Sequence, residues 1–258
     1  MDKVEQIRNF ILARGRLTVS FTGSDDACDE LRSALGDWIG RMRDAPVQPA
    51  PLDFTPFGEP PREGLAGPVQ VAHCAQVVPA PHYSHPDEPL VALGCQIVGC
   101  EYMLPEIRLR GGAYGAWCNY HNLESTIILG SFRDPHIART LDVFARVPEY
   151  VRDADWTQDD VERGIIALAK QDEKPIRPAD ATGLALHRHM IRLTPDMREA
   201  RHARLLKATV AEVKRALLGV LDANFARSPV CVASSREKLE AANEQMADRP
   251  LAIEDILK

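Results

Sequence analysis

The sequence predicts an α+β fold in which a mainly antiparallel sheet carries helices packed on one face. The chain has 258 residues, 45% of them hydrophobic and 26% charged, which suits one large globular domain or two small ones with a substantial core. Stretches with the two-residue period of strands occur alongside stretches of helical period. The predicted strands follow one another too irregularly for the strand–helix–strand units of a parallel sheet. We therefore expect a single domain over residues 1–258, with a helical lead at 1–15, a proline-rich connecting segment at 45–68 and a C-terminal helix and tail at 236–258.

The N-terminal quarter is predicted to contain a helix, a strand, a second helix and a long connection. "VEQIRNFIL" has a helical pattern, and "RLTVSFTG" is rich in β-branched and aromatic residues, which predicts a strand that ends at Gly23. Ser24 followed by two aspartates is typical of a helix N-terminus and predicts a helix to about Arg43. The segment from Pro46 to Pro68 holds seven prolines, which are excluded from regular helix interiors and central strands.

The middle of the chain is predicted to form a strand, a buried helix and a β-hairpin. "VQVAHCAQVV" at 69–78 alternates like a strand and places His73 on one face, where we interpret it as a packed side chain. Residues 87–104 are apolar nearly all round, which predicts a helix buried on several sides. "GAYGAWCNYH" and "LESTIILGSF" predict two strands that turn near His121 and Asn122.

The C-terminal half is predicted to be mostly helical. "DPHIARTLDVFARVPEYV" is amphipathic, and "TQDDVERGIIALAKQ" begins with Thr157 and Asp160 at a spacing similar to that of a capping box. Helical segments continue from 181 to 224 with an interruption around Thr194 and Pro195. "PVCVASS" then predicts a last strand, and "REKLEAANEQ" predicts a last helix.

The charge balance argues against two classes of partner. The formal net charge is −6 and the isoelectric point is near 5.8, whereas nucleic-acid and anionic-membrane binders depend on excess positive charge. Residues 187–215 hold eight Lys or Arg against three Asp or Glu, which we interpret as a solvated helix face. No run of about 18 apolar residues and no targeting signal is visible. We expect no nucleic-acid or membrane partner and, by default, a cytoplasmic location, or an organellar one if the native N-terminus lies upstream.

The sequence lacks the motifs that would give this chain a catalytic centre of its own. It contains no GxSxG elbow, no GxxxxGK[ST] or GxGxxG loop, and no HExxH or HxxEH pair. The histidines of "HYSH" (82–85), "HRH" (187–189) and "EARH" (199–202) lack the further ligands that a metal site needs. The six cysteines form no CxxC pair and are interpreted as reduced packing residues. We therefore predict no metal site and no cofactor in this chain.

One segment, "IRLRGGAYGA" at 107–116, combines residue types that suit binding. Gly111 and Gly112 allow positive φ angles and the close approach of another chain. Arg108 offers a planar guanidinium to carbonyl or carboxylate oxygens, and Tyr114 offers a directed O–H donor. This chemistry suits a clamp for an extended peptide or an anion. The alternative is a glycine turn that ends a helix, with an arginine on the surface.

The segment "EYMLPEIRLRGGAYGA" resembles the C-terminal, non-zinc domain of insulinase-like (pitrilysin-type) zinc metallopeptidases, and most closely their presequence-protease and falcilysin branch. Further segments with the same likeness occur in the order found in that branch. They are "REGLAGPVQVAHCAQVV", "FRDPHIARTLDVF" and "GIIALAKQDEKPIRPADATG". The resemblance extends over roughly residues 16–235.

The resemblance implies a function for the chain as part of a larger enzyme. In that family two halves, each of two related α+β domains, close around a peptide, and the zinc belongs to the N-terminal half. The implied partners are that catalytic half, on the same polypeptide or a separate subunit, and short unfolded peptides. Arg108 is implied to bind peptide carbonyls and Tyr114 to polarise the scissile carbonyl, while Gly111 and Gly112 shape the turn. Because every zinc ligand is missing, the isolated chain is expected to be inactive.

Two other hypotheses stay open at this point. The chain could be a catalytically silent binding or assembly subunit of the same superfamily, as inactive members are in respiratory complexes. It could also be an unrelated α+β protein whose glycine turn only resembles the family. An upstream reading frame that is continuous with Met1 and contains HxxEH would favour the peptidase over the assembly subunit.

Overall fold

The computed structural model describes residues 2–44 and 59–256. In chain order its main elements are α1 (Asp2–Ile11), α2 (Asp25–Gly40), β1 (Arg62–Ala66), β2 (Ala72–Pro79), α3 (Glu88–Val98), β3 (Gly115–His121), β4 (Thr126–Asp134), α4 (Ile137–Ala145), α5 (Val147–Asp153), α6 (Gln158–Asp172), α7 (Pro178–Met190), α8 (Pro195–Leu206), α9 (Val210–Asn224), β5 (Val230–Ser234), α10 (Arg236–Gln245) and β6 (Ala252–Asp255). The described residues divide into two compact units, 2–44 with 174–195 and 59–173 with 196–256. That the chain is one domain stays a prediction, and each unit is described by itself.

The first unit is helical. The predicted N-terminal helix and the predicted cap at Ser24 are confirmed, because α1 and α2 form and the Ser24 hydroxyl accepts a hydrogen bond from the Ala27 amide at 3.4 Å. The strand predicted over 16–23 is wrong, since these residues pair with no strand in the described part of the chain. Val19 and Phe21 are each 48% exposed. Strand-forming side chains need a neighbouring strand to pack against, and no strand of the described ranges pairs with this segment.

The second unit contains a six-stranded sheet in the order β3-β4-β2-β5-β1-β6. The pairs β3/β4, β4/β2 and β2/β5 are antiparallel, and β5/β1 and β1/β6 are parallel, so the prediction of a mainly antiparallel sheet is confirmed. Two strands were not predicted. β1 lies inside the segment predicted to be a proline-rich connection, of which residues 45–58 are outside the described residues, and β6 lies in the predicted C-terminal tail.

The two faces of this sheet differ in burial. On β2, buried side chains alternate with half-buried ones: Ala72, Cys74, Gln76 and Val78 against His73, Ala75 and Val77. Helices α4 and α9 contact β2, and α10 contacts β1. The helices therefore cover the face of Cys74 and Gln76, in agreement with the predicted one-sided packing. We call the opposite face the open face; it includes Trp117, Asn119, Ile128, Phe132, His73, Ala75, Val77, Cys231 and Ala233.

The predicted buried helix is confirmed as α3 and continues into the α3 extension, Gly99–Leu109. By length and composition Glu88–Leu109 could cross a membrane, but 56% of its most apolar window is buried inside the protein. Ten of the eleven α3 residues are buried, as expected for the core helix of a globular protein. The absence of a membrane partner stays a prediction.

Most of the remaining helical predictions are confirmed. Thr157 and Asp160 form a capping box at the start of α6, and α10 forms where predicted. The segment 181–224 contains one break more than expected. It separates α8 from α9, where Thr209 and Glu212 form a second capping box.

Candidate functional site

The candidate segment 107–116 joins the α3 extension to β3. The extension is π-helical, and the amide of Arg110 donates to the carbonyl of Pro105, five residues earlier, at 3.0 Å. Pro105 lies inside this helix, where its ring would collide with the carbonyl four residues before it, and the wider helical turn relieves that collision. The helix then ends at Leu109, and Arg110 separates it from the two glycines.

Both glycines are required by the turn, for different reasons. Gly112 has φ of +76°, in the left-handed region that L side chains rarely adopt. Gly111 is buried, and a Cβ there would lie 2.4 Å from the carbonyl oxygen of Ile107. The amide of Gly112 donates to the carbonyl of Arg108 at 2.9 Å, and the amide of Ala113 donates to the carbonyl of Ile107 at 3.1 Å. Gly111 and Gly112 therefore form a turn that ends a helix, as the alternative raised by the sequence has it, with Arg108 before the turn and Tyr114 after it.

The two arginines of the segment have different surroundings. Arg110 forms an ion pair with Glu106 one helical turn earlier, and its carbonyl accepts from Arg139 of α4 at 3.2 Å. Arg108 is exposed and has no side-chain hydrogen bond or ion pair with any described residue. The guanidinium of Arg108 is thus available to a ligand, whereas that of Arg110 is engaged.

Tyr114 lies beside an aromatic residue and an arginine that sequence reasoning missed. Tyr114 is 66% exposed, and its ring meets the Phe132 ring edge-on with 6.0 Å between centroids. The guanidinium carbon of Arg133 lies 5.8 Å from the Tyr114 ring and 5.4 Å from the Phe132 ring. The Tyr114 hydroxyl makes no hydrogen bond to the described part of the protein. It can therefore donate to a ligand.

A β-bulge in β4 brings both Phe132 and Arg133 to the ring of Tyr114. Ala72 pairs with Asp134, and Cys74 pairs with Ser131. An advance of two residues along β2 therefore corresponds to three residues along β4, which means that β4 contains one extra residue. Arg133 has φ of +48°, which is uncommon for a residue with a side chain. Because the extra residue interrupts the alternation of faces, both Phe132 and Arg133 are exposed. No signal in the sequence indicates the bulge, since register is set by the partner strand.

Next to Tyr114 the open face presents aromatic and apolar groups. The Trp117 ring covers Gly130, where an added Cβ would lie 2.4 Å from the ring. His73 lies against Phe132 with 4.9 Å between ring centroids, which supports its interpretation as a packed residue. Apolar groups beside the free Tyr114 hydroxyl can hold a ligand that has both apolar side chains and carbonyl oxygens.

The histidine and cysteine motifs of the sequence do not converge on a metal site. Among the described residues no group of three or more His, Cys, Asp or Glu is placed to hold a metal ion. In the loop at 82–85, His82 interacts with Ser84 at 3.1 Å and His85 accepts from the Asp87 amide, also at 3.1 Å. The donor set that a catalytic zinc needs is thus not assembled in this part of the chain.

Comparison of the sequence with known proteins identifies a family that matches this chain. The model described as the PreP C-terminal domain matches residues 86–235, more than half of the chain. The mitochondrial presequence protease of Eremothecium gossypii is 32% identical over 152 residues, which make up 58% of this chain and 15% of that protein. The chain thus spans only a small part of the length of this relative.

Solved structures share the fold. The peptidase M16 inactive domain from Pseudomonas fluorescens superimposes with a TM-score of 0.62 at 18% identity, covering 83% of this chain and 51% of that one. Pitrilysin gives a TM-score of 0.59 at 13% identity, covering 99% of this chain and 28% of that one. At these identities the likeness concerns the fold.

Proposed function

This chain belongs to the PreP C-terminal domain family, and we propose that it forms the substrate-binding part of an insulinase-like zinc metallopeptidase that degrades short unfolded peptides. The chain is therefore a member of a peptidase family. A solved structure with the same fold is described as a peptidase M16 inactive domain. The observation that carries the proposal is that, among the described residues, an exposed arginine without an ion-pair partner and an exposed tyrosine whose hydroxyl makes no hydrogen bond flank one glycine turn.

The proposed roles follow from what each side chain can donate. The Arg108 guanidinium binds carbonyl oxygens of an extended peptide and holds its register. The Tyr114 hydroxyl donates to the scissile carbonyl as negative charge develops on its oxygen. The ring of Tyr114 is held by Phe132 and Arg133, so the hydroxyl needs little reorganisation when the peptide binds.

The zinc and the catalytic half are proposed to come from outside this chain. The described residues offer no ligand set for the metal, and the chain spans 15% of the presequence protease that it matches. We propose that an N-terminal half, on the same polypeptide or as a separate subunit, carries zinc and closes against the open face. A closed chamber would limit substrates to short unfolded peptides.

The alternative is a catalytically silent binding or assembly subunit of the same superfamily. It would use the same open face to hold another protein without any hydrolysis. A gene that begins at Met1, with no HxxEH protein encoded nearby, would favour this alternative. An upstream frame continuous with Met1 that contains HxxEH would favour the peptidase.

The test of the proposal uses the chain together with its catalytic half. Tyr114→Phe removes only the hydroxyl and is expected to lower kcat/KM for an unfolded peptide about 100-fold, the usual cost of losing one donor to a developing oxyanion. Arg108→Ala is expected to lower kcat/KM at least about tenfold, because a charge-assisted hydrogen bond to the peptide is lost.

Arg110→Ala is the matched control. It removes an arginine two residues away that is engaged with Glu106, and turnover should stay close to that of the unchanged enzyme. If Tyr114→Phe and Arg108→Ala leave kcat/KM within about twofold, the assigned roles are wrong. Complete absence of hydrolysis in the unchanged assembly would support the silent subunit.

A further inference from the structure

A cavity of about 550 Å³ lies on the helix-covered side of the sheet, away from the open face. Gln76 of β2 and Val230 of β5 form part of its wall, together with α4 and the segment that follows α10. Its volume is in the range of small-molecule sites, which are concave and mostly apolar with a few placed polar groups. All the residues that line it belong to the second unit.

Three arginines line this cavity without an acidic partner. Arg62, Arg139 and Arg249 form no ion pair with any carboxylate in the described ranges 2–44 and 59–256. Of the two aspartates in the lining, Asp142 is bound by Arg146 at 2.8 Å, and Asp248 forms no ion pair with an arginine of the described residues. The cavity therefore carries an excess of positive charge.

Two of the three arginines, Arg62 and Arg139, are held by main-chain carbonyls in place of carboxylates. The Nε and Nη2 atoms of Arg62 donate to the carbonyl of Arg249 at 3.3 and 3.1 Å, and Arg139 donates to the carbonyl of Arg110. Burial, and secondarily the nearby Arg249 charge, lower the pKa of Arg62. Arg62 is half-buried next to the Arg249 charge, and a bound anion would offset the unfavourable proximity of these two like charges.

Much of the remaining wall is apolar. The Gln76 amide donates to the Ser228 hydroxyl at 2.6 Å, and that hydroxyl donates to the Phe225 carbonyl at 2.6 Å, so these two buried side chains are both hydrogen-bonded. Apolar contact is offered by Ala138, Leu141, Ala145, Phe225, Val230 and Met246. A ligand for this cavity thus needs an anionic group for the arginines and an apolar body for the wall.

We infer that the cavity between β1, α4 and the segment after α10 binds an organic carboxylate that carries an apolar group, such as the C-terminal residue of a peptide. The planar guanidinium matches the two oxygens of a carboxylate, and the apolar wall accommodates the attached side chain. Inorganic phosphate satisfies only the first of these two requirements. The inference does not depend on the proposed function, since neither Arg108 nor Tyr114 lines the cavity.

Calorimetric titration of the full chain at low ionic strength tests this inference. N-acetyl-leucine is expected to bind saturably, and N-acetyl-leucine amide, which keeps the side chain and loses the charge, at least about tenfold more weakly. Arg249→Ala should weaken binding of the acid about tenfold, because one of the unpaired guanidinium groups is lost. Arg249 is exposed and its side chain makes no described hydrogen bond, so this variant is expected to fold.

Arg152→Ala removes an exposed arginine elsewhere in the same unit and should leave binding unchanged. Equal affinities for acid and amide, or unchanged binding in Arg249→Ala, would show that the arginines do not form the site. Tighter binding of phosphate than of N-acetyl-leucine would show a simple anion site and overturn the inference. If binding of N-acetyl-leucine does not saturate by about 10 mM, the inference is also overturned.

Discussion

Arg108 and Arg110 show how one residue differs from a similar neighbour two positions away. Arg110 uses its charge within the helix, in an ion pair with Glu106 at the i, i+4 spacing that stabilises helices. Arg108 has no such partner in the described structure and keeps its guanidinium donors for a ligand. That assignment of roles stays a prediction until the two arginines are compared by substitution.

At the same scale, the glycine turn predicts a difference between two adjacent positions. Gly112→Ala is expected to lower the free energy of unfolding by about 1–2 kcal/mol, because a side chain is strained in the left-handed region. Gly111→Ala is expected to lower it further, since its Cβ would collide with the Ile107 carbonyl. Urea titration of each variant measures these changes.

Gly219→Ala provides the control for both variants. It lies in α9 with no heavy atom within 4 Å of an added Cβ, and alanine should stabilise the helix there by roughly 0.5–1 kcal/mol. Equal stability of Gly112→Ala and the unchanged chain would contradict the left-handed turn.

At the scale of elements, the β-bulge in β4 connects strand geometry to the candidate site. Without the extra residue, Phe132 and Arg133 would point to opposite faces, and only one of them could reach Tyr114. The positive φ of Arg133 costs about 1–3 kcal/mol, which the surrounding sheet must offset. The bulge therefore orients two side chains toward one ring.

The start of α6 gives a prediction about pH. Hydrogen bonds from the Thr157 amide and hydroxyl, and secondarily the Arg163 charge, lower the pKa of Asp160. A folded pKa below the unfolded value adds stability above the unfolded pKa of about 3.9, and this stability is lost as pH falls through the folded pKa. Asp160→Asn should therefore be less stable than the unchanged chain at pH 7, with the gap closing below about pH 4. Denaturation at several pH values measures this gap.

Two further variants define the contribution of the cap. Thr157→Ala should lower the free energy of unfolding by about 1 kcal/mol at pH 7, because the amide bonded to its hydroxyl loses that partner. Asp159→Asn, one residue earlier and outside the capping box, should change the pH profile less than Asp160→Asn. If both substitutions change the pH dependence of stability equally, the negative charge at the helix N-terminus, rather than the capping box, controls that dependence.

At the scale of the whole second unit, a buried ion pair links four parts of the chain. Glu88 of α3 is fully buried and accepts from Arg201 of α8 and from Asn122 of the hairpin turn, each at 2.7 Å. Arg201 also forms an ion pair with Asp172 at the end of α6. Burial by itself lowers the pKa of Arg201, but the Glu88 and Asp172 charges outweigh it, so the pKa is raised.

Breaking this pair should affect stability far more than breaking a surface pair. Glu88→Ala leaves Arg201 buried without its main partner and is expected to lower the free energy of unfolding by about 3–5 kcal/mol. Asp222→Ala, which breaks the exposed pair with Arg152, should cost less than about 1 kcal/mol. The double variant Glu88→Leu with Arg201→Met should lose less free energy of unfolding than Glu88→Ala, because it leaves no buried charge unpaired. If the double variant loses more, an unpaired buried charge is not the cause of the loss in Glu88→Ala.

By itself the sequence determined the features that depend on near neighbours along the chain. The helix starts at Ser24 and Thr157, the hairpin turn near Asn122 and the helix that begins after Ser235 were all predictable, because caps, turns and amphipathic periods involve residues a few positions apart. The glycine turn at Gly111 and Gly112 was predictable for the same reason. A family resemblance, rather than local chemistry, indicated Arg108 and Tyr114.

Only the tertiary structure decided which segments became strands and which side chains remained free. Residues 16–23 have stronger strand propensity than Arg62–Ala66, yet only the latter segment lies between two partners, β5 and β6. The bulge that brings Phe132 and Arg133 to Tyr114, and the cavity that gathers Arg62, Arg139 and Arg249, join residues far apart in sequence. Strand pairing and register depend on such distant contacts, which no local pattern encodes.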